Sequence, residues 1–580
     1  TVCGVAYPGE LLVIMGSSGA GKTTLLNALT FRSGCGVIAS GVMAANGRRV
    51  SSTILTSRTA YVQQDDLFVG TLTVKEHLLF QAMVRMDRKI PMEQRFDRVH
   101  QVINELALTK CKNTVIGQPG RIKGLSGGEM KRLSFASEVL TDPPLMFCDE
   151  PTSGLDSFMA HQVVSVLKTL AARGKTIIAT LHQPSSELFA LFDRILLMAE
   201  GRVAFMGTTS QACTFFETNM LLTHALYMSC FHIFSHTFSS SYAIYRHVIN
   251  TVCDAFQKSE HGIKIALEAE AINNEFDDSI RDSKYSKNRS LYKASWCEQF
   301  RAVLWRSWLS VIKEPILIKV RLLQTVMVSL LVGIVYFNQR PYGAVNFDQL
   351  GIQAAQGVIF ILVSENAFFP MYATLALIPQ ELPLLRREYR AGMYPIYLYY
   401  IARIFSLIPG LIIEPLLFTA ILYWLAGLRD NIETFGFTLL VLLLTINVST
   451  ACILGCFFST AFESVPLAMA YLIPFDYILM ITMGPFLKLG SLPVYIQWVK
   501  YISWLLHSTE ALTILQWNNV HNICEETDPE LPCITDGIQV LQRYDFDETN
   551  FWIDIILMVT IYFVFHIFAY ICLWNRCRWK

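Results

Sequence analysis

Charge is scarce in this chain. Of its 580 residues only 16% are Asp, Glu, Lys or Arg and 53% are hydrophobic, which is too apolar for a soluble enzyme of this length. The 47 basic and 47 acidic residues cancel, a balance that is uninformative about partners, and no nucleic-acid-binding signature occurs. The shortage is uneven. Thr218 to Tyr245 carries no formal charge at all, and long apolar runs concentrate after residue 315.

The apolar segments near Leu317–Phe337, Ala354–Ile378, Ile404–Leu425, Phe435–Ser459, Val465–Leu487 and Phe551–Trp574 are each long enough to cross a hydrocarbon core of about 30 Å. Six spans put both flanking ends on one side. Lys313, Lys319 and Arg321 before the first span, and Arg576, Arg578 and Lys580 after the last, make that side cytosolic. Arg386, Arg387, Arg390 and Arg403 fall in a cytosolic loop between spans two and three. There Arg386-Arg387-Glu388-Tyr389-Arg390 reads either as a mechanical contact or as a solvated charge cluster. Ala294 to Ile312 interleaves Trp296, Phe300, Trp305 and Trp308 with Arg301, Arg306 and Lys313. That pattern suits a helix at the membrane surface, or one packed on the preceding domain.

Chemistry is concentrated in the first third. Gly16-Ser17-Ser18-Gly19-Ala20-Gly21-Lys22-Thr23 follows the apolar run Leu11 to Met15 and precedes a helix-like segment, Thr24 to Phe31. Strand, glycine loop and helix is the context in which G-x-x-x-x-G-K-T binds phosphate. Backbone N–H groups curl around the anion, Lys22 reaches the β- and γ-phosphates, and Thr23 holds Mg²⁺. Leu145 to Cys148 reads as a buried strand ending in Asp149, placed for Mg²⁺, and Glu150, placed to polarise a water. A second apolar strand, Thr176 to Leu181, ends at His182, which can contact the γ-phosphate. Gln64 lies in Tyr61-Val62-Gln63-Gln64, and Leu125-Ser126-Gly127-Gly128-Glu129 sits between the two phosphate elements. Taken singly each has a plainer reading: a surface amide, a core histidine, a helix N-cap before a flexible turn.

Taken together and in this order, these residues resemble the nucleotide-binding domain of ATP-binding-cassette (ABC) transporters. The resemblance makes Gly16 to Thr23 with Thr24 the Walker A loop, Gln64 the Q-loop and Leu125 to Glu129 the signature. Asp149 and Glu150 close Walker B, Ser153 to Asp156 is the D-loop, and His182 is the switch histidine. It implies ATP and Mg²⁺ as cofactors, with Glu150, His182 and Gln64 catalytic and Thr23, Gln64 and Asp149 around the metal. Gly16, Ser17, Ser18, Gly19, Ala20, Gly21, Lys22, Thr23 and Thr24 would bind nucleotide from one side, and Ser126, Gly127, Gly128 and Asp156 from the other.

An ATPase domain ahead of one membrane domain is the layout of the G subfamily of half-transporters. The wording is nearest to the White-type group of insects, which moves eye-pigment precursors. Phe80 to Met86, Thr141 to Leu145, His182 to Phe189, Ile195 to Phe205 and Gln299 to Pro315 carry that likeness. The expected fold is therefore an α/β P-loop ATPase over 1–217, an atypical segment and cytosolic linker over 218–293, and an all-α six-span domain over 294–580. One Walker A and one signature cannot close on each other inside one domain, so the chain should pair with a second half-transporter. A heterodimer is favoured and a homodimer is the alternative. The resemblance implies tryptophan-derived or guanine-derived pigment precursors as cargo; a sterol or lipid exporter of the same subfamily is the rival. The membrane would be that of a pigment granule or other vesicle, or the plasma membrane, with the ATPase and both ends cytosolic.

Polar residues inside spans bear on cargo: Glu365, Glu414, Asn447 and Asp476. Glu365 and Asp476, in spans two and five, are candidates to face the cargo cavity, against the alternative of structural hydrogen bonds or span ends. Cys524 and Cys533 lie in the long polar loop before the last span, on the non-cytosolic side, where a disulfide is expected over two free thiols. Related half-transporters carry a cysteine pair there. That loop holds no glycosylation sequon. Two departures from the family stand out. Only Thr1 to Met15 precede Walker A, short of the strands and the adenine-stacking aromatic that the family has, so the chain reads as a fragment. The uncharged stretch from Thr218 replaces a polar segment with an Asn-Pro-Ala-Asp-Phe motif, and the charged Glu260 to Arg289 after it reads as a flexible linker.

Overall fold

A computed structural model of the chain describes residues 2–32, 40–46, 48–50, 55, 58–118, 122–219, 242–274, 294–337, 349–455, 465–484, 498–521, 534 and 536–578. The disulfide expected between Cys524 and Cys533, and most of the uncharged segment after Thr218, lie outside them. The chain divides into two compact units, residues 1–302 with 390–394, and residues 303–389 with 395–580.

The first unit is built on one sheet. Its strands are β1 (Leu11–Gly16), β2 (Thr59–Val62), β3 (Leu145–Cys148), β4 (Thr176–Leu181), β5 (Arg194–Ala199) and β6 (Arg202–Thr208), in the order β2-β3-β4-β1-β5-β6. All neighbours run parallel except the β5–β6 hairpin. Leu11 to Met15 and Ile177 to Leu181 are apolar almost without break because both faces of these central strands are covered. The register places Val62 beside Cys148, Cys148 beside Ala179, and Met15 beside both Leu181 and Leu197. The carboxyl ends of β1, β2, β3 and β4 therefore open at one edge of the sheet, where ligands bind in open α/β folds. The expected strands at Leu11 and Thr176 lie where the sequence put them.

Helices of the first unit include α1 (Lys22–Leu29), α2 (Val74–Arg85), α3 (Met92–Glu105), α4 (Gly127–Val139) and α5 (Ser157–Ala172). Helix α1 packs on β1 and β4, whereas α4 packs on α2, α3, α5 and β2. Residues expected to be linker also fold. The helix Tyr242–Lys258 lays Ile249, Val252, Cys253 and Phe256 against β6, and a second helix covers Glu260–Asn274, in place of the flexible linker expected there. The apolar stripe of the first of these helices buries enough surface to hold it, which charge counting along the segment does not reveal.

The second unit is helical. After α6 (Trp296–Ile312), which begins in the first unit, come α7 (Pro315–Val335), α8 (Gln349–Leu375), α9 (Leu377–Arg390), α10 (Ile396–Leu425), α11 (Ile432–Gly455), α12 (Val465–Ile481), α13 (Trp504–Trp517) and α14 (Phe551–Arg578). Among the described residues five helices are long and apolar enough to cross a membrane, namely Ile318–Val335, Gly351–Arg390, Ile396–Leu425, Ile432–Leu454 and Glu548–Arg578. The sixth expected span is the shorter α12, whose 17 described residues rise about 25 Å. Pro370, Pro409 and Pro415 sit inside these helices, as membrane helices tolerate.

Three expectations are corrected here. Arg386, Arg387 and Arg390 belong to helix α9 and Arg403 to α10, so the basic cluster is not a loop. Lys319 and Arg321 lie within α7 rather than ahead of it. The region read as one long polar loop contains α13, of which Ser508, Thr509 and Thr513 have no exposed surface. A polar residue on nearly every turn lowers its hydropathy, and 14 residues rise only about 21 Å, too short to span. Its polar groups are satisfied by neighbours instead. Ser508 Oγ lies 2.5 Å from Thr445 Oγ1, Trp504 Nε1 donates to Ser449 Oγ at 2.9 Å, and Gln356 Nε2 donates to Thr513 Oγ1 at 3.0 Å.

Candidate nucleotide site

The glycine loop runs from the end of β1 into α1. Gly16 is held to glycine by a close approach, since a Cβ there would lie 2.3 Å from the Met198 carbonyl oxygen. Gly21, the N-cap of α1, has φ 95°, a left-handed conformation that glycine adopts without strain. Lys22 turns back over the loop and donates to the carbonyls of Gly16 at 2.9 Å and Ser17 at 3.0 Å. Burial pulls its ammonium below the usual lysine range, against the opposing pull of Glu150 and Asp149.

Asp149 joins the parts of the site. It is 4% exposed and its Oδ1 accepts from Thr23 Oγ1 at 3.1 Å and from Thr180 Oγ1 at 2.7 Å. Tyr61 donates to Asn27 Oδ1 at 2.9 Å and lies 3.4 Å from Asp149 Oδ2; burial and that carboxylate push the phenol up. Beside it Glu150 adopts φ 43°, unusual for a non-glycine residue, and its backbone N donates to Thr180 Oγ1 at 2.8 Å. Gln64 Nε2 donates to Glu150 Oε2 at 2.8 Å. Lys131, from α4, donates to the Gln64 carbonyl at 2.5 Å and pairs with Asp66 at 3.1 Å. Lys22, Thr23, Gln64, Asp149 and Glu150 are thus brought together by the common edge of the sheet, and exposed His182 follows directly on β4.

Thr180, Tyr61 and Lys131 escaped the reading of the sequence. The signal for Thr180 was a polar residue in an otherwise apolar strand; Tyr61 and Lys131 carried none, because only the fold brings them to Asp149 and Gln64.

The signature residues sit apart. Ser126 caps α4, accepting from the Glu129 backbone N while the Glu129 carboxylate accepts from the Ser126 N at 2.9 Å. Those bonds from Ser126 hold the Glu129 carboxyl below its ordinary range. The capping reading of this segment is therefore met. Gly128 packs on α5, where a Cβ would come within 2.8 Å of Met159 Sδ, and Asp156 caps that helix by accepting from Met159 N at 2.8 Å. Ser126, Gly127 and Asp156 are all exposed.

In the second unit Glu365 lines a small crevice with Glu414, Gln324, Thr325 and Asn366, and Glu414 lies 3.9 Å from Arg321. Asp476 is not among the residues lining that crevice. It is 8% exposed and accepts from Tyr372, two turns along α8 from Glu365, at 2.5 Å. Asp476 thus has a structural hydrogen bond, the alternative weighed beside a cargo role. Asn447 Nδ2 donates to the Leu443 carbonyl of its own helix. Arg306 and Glu388 form a buried ion pair at 2.6 Å.

A phosphate loop, a two-carboxylate strand end and a capped glycine signature, joined in one chain to a bundle of apolar helices, define an ATP-driven membrane transporter. The sequence pattern described as ABC transporter matches residues 4–153, and that described as ABC-2 type transporter matches residues 298–517. Protein white of Drosophila melanogaster is 46% identical over 100% of this chain and 83% of its own length. Protein scarlet of the same organism is 42% identical over 99% and 85%, and ABC transporter G family member 14 of Arabidopsis thaliana is 31% identical over 99% and 86%. The chain belongs to the ABC transporters, as a G-subfamily half-transporter close to White, a multi-pass membrane protein in which ATP hydrolysis is coupled to transport.

Proposed function

We propose that this half-transporter pairs with a second one and moves small organic cargo, of the pigment-precursor class, in a White-type heterodimer. The observation that carries the pairing is the separation of the two halves of an ATP site. The glycine loop sits on β1 and α1, while the exposed signature sits on α4, which packs on a different set of elements. A second chain's signature is then needed to cover the γ-phosphate. In that sandwich Gly16 to Thr24 cradle the phosphates, Thr23, Asp149 and Gln64 hold Mg²⁺, Glu150 activates water and His182 senses the γ-phosphate. Ser126, Gly127, Gly128 and Asp156 serve the partner's nucleotide. The bonds from Thr23 and Thr180 to Asp149, and from Gln64 to Glu150, support these roles. Closing the sandwich shifts the membrane halves between inward- and outward-facing states, and hydrolysis resets them.

The ATPase unit and the end of α14 face the cytosol, by the basic residues Arg576 and Arg578 there. The membrane is that of a pigment granule or other vesicle, with the plasma membrane as the alternative. For cargo, Glu365 is the residue we place on the path, on the support of its polar crevice; Asp476 acts with Tyr372. The test is ATP hydrolysis in liposomes, with the chain alone and with candidate half-transporter partners, beside a Glu150→Gln control. Activity that needs a partner and rises with tryptophan metabolites or guanine supports the proposal. Activity of the chain alone, stimulated by sterols or lipids, replaces it with the homodimeric exporter.

A further inference from the structure

We propose that His507, Glu510 and Asp554 form a divalent metal site, suited to Zn²⁺, that ties α13 to the first turn of α14. His507 and Glu510 stand one turn apart on one face of α13, and Asp554 meets them from α14. One ligand atom from each residue lies within 4.8 Å of those of the other two, and the three are 4%, 8% and 2% exposed. His507 Nδ1 lies 2.8 Å from Asp554 Oδ1, and Nε2 lies 3.3 Å from the Tyr501 carbonyl. A carbonyl only accepts, so Nε2 carries the hydrogen in that contact and Nδ1 presents its lone pair to a carboxylate. A hydrogen or a cation must bridge them.

A proton on Nδ1 leaves the cluster short of balance. With both carboxylates ionised, an imidazolium leaves one net negative charge in a buried place, which is costly. The second oxygen of Asp554, Oδ2, is buried with no hydrogen-bond partner among the described residues. A divalent cation in place of that proton brings the sum of a neutral imidazole and two carboxylates to zero and gives Oδ2 a partner. The surroundings hold the ligands as metal sites require. Glu510 Oε1 accepts from Asn550 Nδ2 at 2.9 Å and from Asp547 N at 3.3 Å, while the Tyr501 carbonyl fixes the ring tautomer. One imidazole and two carboxylates suit Zn²⁺ among borderline cations, and bonds of about 2.0–2.2 Å put tetrahedral ligand atoms about 3.4 Å apart. Side-chain movements of about an ångström bring this cluster to that spacing. The inference is independent of the cargo and partner proposed above.

The test uses the full chain in detergent, complexed with its partner where one is needed, stripped with EDTA and then given zinc sulfate. Elemental analysis after gel filtration is expected to find about one more zinc per complex than His507→Ala or Asp554→Asn retains. Zinc-edge absorption of the wild type should show nitrogen and oxygen ligands near 2.0 Å, a readout that needs no variant to fold. Zinc content equal in wild type and His507→Ala, or a zinc shell dominated by sulfur near 2.3 Å, would overturn the proposal. So would a wild-type protein that hydrolyses ATP and takes up no zinc at all.

Discussion

Thr180→Val is the most searching test of the nucleotide site, because it removes one hydroxyl and keeps the shape of the side chain. Thr180 has no exposed surface and lies in the strand that carries His182, two residues before it. Its Oγ1 donates to Asp149 Oδ1 at 2.7 Å and accepts from Glu150 N at 2.8 Å, so one atom holds the Asp149 carboxylate and the Glu150 backbone. Glu150 holds φ 43°, and its N–H bond to Thr180 is one of the contacts that keeps it there. A hydrogen bond of this kind contributes about 1 kcal/mol net, so losing two costs about 2 kcal/mol. If that energy orients Glu150 and Asp149 in the transition state, the hydrolysis rate falls about thirtyfold. Thr180→Ser keeps the hydroxyl and should restore most of the rate. The assay is steady-state ATP hydrolysis beside nucleotide-binding affinity, which should change little because the glycine loop is untouched. Wild-type hydrolysis by Thr180→Val would refute the reasoning and make the bond a packing detail.

Other outcomes follow from the same geometry. Glu150→Gln should lower hydrolysis by about 10²–10⁴-fold while ATP still binds, since the amide keeps its contact with Gln64 but cannot take a proton; single-turnover kinetics reads this directly. Arg306→Ala strands Glu388, which is 1% exposed, and should destabilise the second unit by about 3–5 kcal/mol. The double variant with Glu388→Ala should recover part of that in thermal unfolding. The Glu129 carboxyl is held low by Ser126, so the stability it adds is present above its unfolded value of about 4.3 and is lost as pH falls through the lower folded value. Glu129→Gln should therefore flatten the acid limb by lowering the melting midpoint at neutral pH, while the midpoint at low pH, where Glu129 is protonated, changes little.

Legibility varied with how local each determinant was. The strand and glycine loop could be placed because the run Leu11 to Met15, the glycines and Lys22 adjoin in sequence, and so could the positions of Asp149, Glu150 and His182 after apolar strands. Thr180, Tyr61 and Lys131 act through contacts 30 to 88 residues away in sequence, or 67 for Lys131, and no local pattern marks them. Helix α13 was missed for the opposite reason. Its polar side chains signal a loop when counted along the chain, yet Thr513, Ser508 and His507 meet partners on α8, α11 and α14. Arg321, read as preceding the first span, and Arg403, read in a loop, lie within helices where they pair with Glu414 and Glu381.

By itself the sequence determined the class of machine: a glycine-rich phosphate loop, adjacent carboxylates at the end of an apolar strand, and apolar runs that water will not solvate. These properties live in residue type and short spacing, so folding cannot alter them. Tertiary structure alone decided which side chains share a proton, a charge or a surface. The parallel register gathered four strand ends into one site, and helix packing set Asp476 on Tyr372 and His507 against Asp554. Those choices depend on distances between residues far apart in the chain, set by burial of apolar surface rather than by any local preference.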